Sequence, residues 1–89
     1  SSNVQFTIIS HKYKEINAAL QNDLDVGSTL THGVTGHCND PLDVIICVVS
    51  HESVNRVRTT VLDIDEEAFM TMVDVSGVNG RGFTMARKY

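Results

Sequence analysis

Leu42-Asp43-Val44-Ile45-Ile46-Cys47-Val48-Val49 carries the most information about the architecture of this chain. From Val44 to Val49 every residue is apolar, and all but Cys47 are β-branched. A short run of that kind, bounded by turn-forming residues at Gly36–Pro41 and by Ser50, reads as a strand. A strand in a sheet with one wet face alternates apolar and polar residues. This one does not: Val44, Ile46 and Val48 point one way and Ile45, Cys47 and Val49 the other.

On the N-terminal side of this strand, residues 36–41 (GHCNDP) crowd Gly, Asn, Asp and Pro into one turn. Before it, Ser28–Val34 is a second strand, with Thr29, Leu30, Thr31 and Val34 favouring it and Gly33 interrupting it. Val4–Ile9 is a further strand, and Ser10 is placed to cap a helix directly after it. In that helix Tyr13, Ile16, Ala19, Leu20 and Leu24 recur at helical spacing, and Asp25-Val26-Gly27 is a connection. On the C-terminal side, Ser50 is placed to cap a second helix, in which Val54, Val57, Val61 and Ile64 form the apolar stripe and Asn55, Arg56 and Thr59 lie outside it. Asp65-Glu66-Glu67 ends it, and Ala68–Val75 is the last strand.

The order is β-α-β-β-α-β, which predicts an α+β, ferredoxin-like domain over residues 1–89. It has a four-stranded antiparallel sheet and two helices on one face. Right-handed crossovers put the first and third strands in the middle. The helices cover only one sheet face. The reading assigns Ile45, Cys47, Val49, Met70 and Met72 to the other, opposite the face of Phe69, Val73 and Val75. An apolar face of that kind calls for a cover, so a homodimer or homotrimer is expected. Methionine suits an adaptable contact surface.

Eighty-nine residues suit one domain. Eleven acids against seven bases give a net charge of −4, which argues against nucleic-acid binding, since that needs a basic face. The longest apolar run falls far short of the roughly 20 residues of a membrane helix. The chain starts at Ser1 without a Met, so it is expected to be excised from a longer protein. Cys38 and Cys47 form no disulfide framework, and reduced thiols in a cytoplasmic setting are expected.

Ile8-Ile9-Ser10, Gly27-x-Thr29-x-x-x-His32-Gly33, Cys47-Val48-Val49-Ser50, Ile64-Asp65 with Ala68-Phe69, and Asp74-Val75 with Gly80-x-Gly82-Phe83 occur in register. Together they resemble the uncharacterised C-terminal domain of YitT-type bacterial membrane proteins over nearly the whole chain. The resemblance implies a ferredoxin-like domain similar to PII-type signalling proteins. It also implies a cytoplasmic position, tethered to the membrane by segments missing from this chain. It implies no established activity. The turn after the second strand departs from the family's Gly-rich pattern. Gly33 and Gly36 match, Thr35 and Asn39 replace glycines, His37 takes an aromatic place and Cys38 a hydroxyl place.

Two segments are candidates for ligand contact. Gly33, Gly36, His37 and Asn39 belong to a turn whose backbone N–H groups can approach an anion, or which simply joins two strands. It has no Lys or Ser/Thr in P-loop order. Arg81, among glycines, can give paired hydrogen bonds to an anionic group, or end a C-terminal turn. His32, His37 and Cys38 are soft or borderline ligands within seven residues, but their spacing matches no zinc motif, and no metal is assigned. No nucleophile, base and orienting acid stand together, so no catalytic residue, cofactor or enzymatic activity is expected. The expected function is binding or regulation through a nucleotide or other small anionic ligand at a subunit cleft. The alternatives are a structural self-association domain and, more distantly, a metal-binding or enzymatic domain using His32, His37 and Cys38.

Overall fold

A computed structural model of the chain describes residues 3–80. Strand β1 (Asn3–Ile9) leads into helix α1 (Tyr13–Asn22), strand β2 (Thr29–Val34) and strand β3 (Pro41–Ser50). A single 3-10 turn (His51–Ser53) precedes helix α2 (Val54–Ile64), and strand β4 (Phe69–Val75) completes the order. The sheet runs β2-β3-β1-β4 and all its pairings are antiparallel. The predicted class and the central placement of β1 and β3 therefore hold.

The elements follow from local chemistry, with small shifts at their ends. Helix α1 stops at Asn22, two residues before Leu24, and Asp25 adopts a left-handed φ of 57° that turns the chain toward β2. Ser10 lies two residues before the N-cap position of its helix, Lys12, yet its Oγ accepts the Lys12 N–H at 2.9 Å. Ser50 does not cap α2 directly: the 3-10 turn intervenes, and Ser50 Oγ lies 3.3 Å from Ser53 Oγ.

One core lies between the sheet and the helices. It consists of Val4, Phe6 and Ile8 from β1, Ile45, Cys47 and Val49 from β3, Ile16 and Leu20 from α1, and Val57 and Val61 from α2. Val54, Ile64 and Met70 pack partly buried against it.

This placement corrects the expected self-association face. Register pairs Phe6 with Cys47 and Met72, and Ile8 with Ile45 and Met70. Ile45, Cys47, Val49, Met70 and Met72 therefore lie on the helix-facing side. The open face instead presents Ile9, Val44, Ile46, Val48, Phe69, Val73 and Val75, with Gln5, Thr7 and Thr71 among them. The parity of each strand was readable, but β3 is apolar on both sides, and a one-residue difference in register exchanges its faces. Met72 is still 43% exposed, because β4 is an edge strand at the margin of the helical layer.

Candidate functional site

The hairpin joining β2 to β3 is a closed loop built around Thr35. Its N–H donates to the Asp40 carbonyl at 2.8 Å, and its carbonyl accepts the Asn39 N–H at 2.9 Å. The Thr35 hydroxyl oxygen accepts the N–H groups of Cys38 (3.2 Å) and Asp40 (3.1 Å). Asn39 takes a left-handed φ of 58°, a conformation its short polar side chain tolerates. Three successive amides, those of Cys38, Asn39 and Asp40, thus turn inward onto Thr35 and away from any ligand. A Cβ on Gly33 or Gly36 would meet nothing within 4 Å, so neither glycine serves a close backbone approach in this chain.

Of the residues singled out from the sequence, Gly33, Gly36, His37 and Asn39 sit together on this hairpin and are exposed. Arg81 lies outside the described residues. Val75, the last residue of β4, pairs with Asn3. The hairpin lies at the opposite end of the sheet, where Ile9 pairs with Val44 and Phe69. His32 does not converge with His37 and Cys38; its Nδ1 meets the Asp43 carboxylate across the β2–β3 ladder. Among the described residues, no three His, Cys, Asp or Glu side chains gather as a metal cage.

Two clefts flank the sheet ends, and neither is lined by the hairpin tip. The first, about 270 Å³, includes Ser10, His11, Tyr13, Asp43, Glu67 and Phe69 in its lining. Beneath it Ser10 Oγ donates to Asp65 Oδ2 at 2.5 Å, and the Glu67 N–H donates to Asp65 Oδ1 at 3.0 Å. The Ser10 hydroxyl first, and then the Glu67 amide, hold the Asp65 carboxyl below the usual carboxylate range. Asp43 and Glu67 make this cleft unsuited to an anion.

The second cleft, about 240 Å³, lies at the other end, between the α1–β2 connection and the start of α2. Gly27, Ser50, Ser53 and Arg56 line it, with Asp25 as its one acid. Hydroxyl donors, a guanidinium and the positive end of α2 suit a small anion. Arg56 also borders a shallower hollow with Asn55, Thr59 and Thr60. Sequence reading missed this cleft because Ser50 and Arg56 looked like a cap and an outward helix residue. Only the fold brings Gly27 and Asp25 against them.

The open sheet face carries exposed apolar side chains outside the core. Phe69 and Val73 on β4 are each 59% exposed. Cys47, on the opposite side of β3, is buried, and burial pushes its thiol up to about 12. Cys38 is a free, exposed thiol on the hairpin.

Against known proteins, residues 26–80 match a family described as an uncharacterized protein conserved in bacteria, DUF2179. The chain is 32% identical over 79 residues to the UPF0750 membrane proteins YpjC and YvjA of Bacillus subtilis (strain 168). Those alignments cover 89% of this chain but only 27% and 28% of the relatives, so the chain spans about a quarter of their length. Among the described residues no helix is long and apolar enough to cross a membrane. A solved DUF2179 protein from Eubacterium ventriosum shares 29% identity and superposes with a TM-score of 0.72, over 82% of this chain and all of that one. The structure of CPII bound to ADP, AMP and acetate, from Thiomonas intermedia K12, superposes at 0.59 with 22% identity over 91% of this chain and 90% of that one. That second likeness is one of fold.

Proposed function

The chain belongs to the DUF2179 family of uncharacterized proteins conserved in bacteria, and we propose that it is a non-enzymatic regulatory module of a bacterial membrane protein. In this reading a small anionic ligand biases self-association of the module, and the change passes to attached membrane segments. The observation that carries it is the open sheet face, where Val44, Ile46 and Val48 follow one another along β3 and Val44, Ile9 and Phe69 run across three strands, with Val73 set apart by Gln5 and Thr71. A patch of that kind on a small domain marks an interaction site. Large apolar side chains contribute roughly 1.5–3 kcal/mol each when fully buried. Association itself costs an estimated 4–15 kcal/mol, so most of the face must take part.

The anionic ligand is supported by the cleft of Ser50, Ser53 and Arg56 and by the fold shared with CPII, a protein solved with ADP, AMP and acetate. The hairpin residues Gly33, Gly36, His37 and Asn39 are the second candidate contact, with fewer amides turned outward. Two free cysteines suit the reducing, cytoplasmic side of the membrane. Cys47 is unsuited to nucleophilic catalysis, because its burial disfavours the thiolate.

The test is a thermal-shift screen with nucleotides, cyclic dinucleotides and small metabolite anions, followed by sedimentation with and without any hit. A ligand that binds only the native state raises its melting temperature by mass action. Stabilisation together with a changed oligomer mass supports regulation. A stable oligomer that responds to no compound supports the purely structural alternative.

A further inference from the structure

The open face is not the only unpartnered feature of the sheet. Strand β2 is an edge strand whose six residues are all exposed, and among the described residues no strand lies outside it. Natural edges are commonly protected by lysine, proline or a bulge. The sequence of β2, Thr29-Leu30-Thr31-His32-Gly33-Val34, has neither lysine nor proline and no permanently charged side chain. The other edge, β4, carries Asp74. Leu30 and Val34 lie on the helix-facing side of β2, since Leu30 pairs with the core residue Ile45. They nevertheless remain 39% and 58% exposed, because the helices pack over β1 and β3 and leave the margin of the sheet uncovered.

We infer that β2 is a pairing edge through which two copies of this chain join antiparallel, with His32 of each copy on the two-fold axis. The strand's own pattern selects this register. In an antiparallel pair, residues directly opposite share a face, so a two-fold axis must pass through a residue position and not between two. Centring it on Thr31 sets Leu30 against a histidine and leaves Val34 without an apolar partner within the strand. Centring it on His32 sets Leu30 against Val34 of the second copy, and Val34 against its Leu30. The small Gly33 then faces Thr31. Both exposed apolar side chains of β2 are covered twice over, and the unguarded edge gains main-chain partners. The result is one sheet of eight strands with the helices of both copies on the same side. The open faces of the two copies then form one surface of twice the area, which deepens the self-association proposed above without depending on it.

The experiment uses the 89-residue chain with Cys38→Ser as background, to remove the exposed native thiol. Leu30→Cys and Val34→Cys are added singly and together and then oxidised, and the products are sized under denaturing, non-reducing conditions. The two sites are too far apart along one strand to bridge within a copy. The double variant is expected to form covalent dimers, as is an equal mixture of the two single variants, while either single variant alone does not. In parallel, sedimentation compares Val34→Lys with Ile46→Glu. Loss of the dimer in Val34→Lys, with its circular dichroism unchanged, supports the edge. If the double variant cross-links no more than the singles, or if Val34→Lys keeps the wild-type mass while Ile46→Glu loses it, the edge is not used. Association then runs through the open face alone.

Discussion

The hydroxyl of Ser10 donates to the carboxylate of Asp65 at 2.5 Å, joining the end of β1 to the end of α2 across 55 positions of sequence. Ser10 is the one buried polar residue among those described, and its oxygen also accepts the Lys12 N–H. Lys12 reaches back in turn, its Nζ donating to the Ile64 carbonyl at 3.3 Å. The β1–α1 connection of one β-α unit thus holds the last residues of the other.

Ser10→Ala should lower the melting temperature by several degrees, because it leaves the Lys12 amide and the Asp65 carboxylate without that partner. Asp65 has a folded pKa below its ordinary value of 3.8. Its contribution is therefore present above that value and lost as pH falls through the lower, folded one. Acid titration of stability should show this loss in the wild type and a smaller one in Ser10→Ala. A double-mutant cycle with Asp65→Asn that gives simple additivity would count against the coupling.

Ile45 and Ile46 are neighbours on opposite faces of β3, and glutamate should tell them apart. Ile45 is fully buried, so Ile45→Glu places a charge in the core and should abolish folding, while Ile45→Ala should cost about 2–5 kcal/mol. Ile46→Glu should fold and melt near the wild type but sediment as a smaller species. Circular dichroism and sedimentation on the two variants check both halves; an unfolded Ile46→Glu would mean that the open face is not a surface of the folded chain.

The two cysteines should differ in reactivity. A thiol reagent at pH 8 should modify Cys38 quickly and Cys47 only at the rate of unfolding. The Cys47 pKa, raised from 9.0 to about 12, also sets an alkaline limit. The unfolded chain releases this proton first, so stability is unaffected below pH 9 and falls between pH 9 and about 12. The slope approaches about 1.4 kcal/mol per pH unit. Urea midpoints for Cys47→Val should decline less across that window than those of the wild type.

If the screen yields an anionic ligand, Arg56→Ala should remove most of its thermal shift while leaving the unliganded melting temperature nearly unchanged. Gly36→Val with His37→Ala should retain the shift. The reverse result would place the ligand on the hairpin.

Much of the architecture was legible because it is local. The helical recurrence of Ile16 and Leu20, and of Val57 and Val61, marks buried stripes in any helix that carries them. The β-branched run of β3 and the turn residues from Gly36 to Pro41 act within a few positions of themselves. The right-handed crossover then leaves few topologies, which is why the strand order could be read from the element order.

The candidate sites were less legible because they depend on register and on long-range contact. Thr35 gave no sign in sequence that it would draw in three amides of its own loop. Arg56 joins Ser50 and Gly27 only through the packing of one β-α unit on the other. The exposed face of β3 turned on which residue of β1 stands opposite Cys47. That residue is Phe6, which puts Cys47 under the helices and Ile46 in the open. Apolar patterning gives a strand its two faces. Where both are equally apolar, only pairing with a neighbour whose pattern is one-sided assigns one of them to the core.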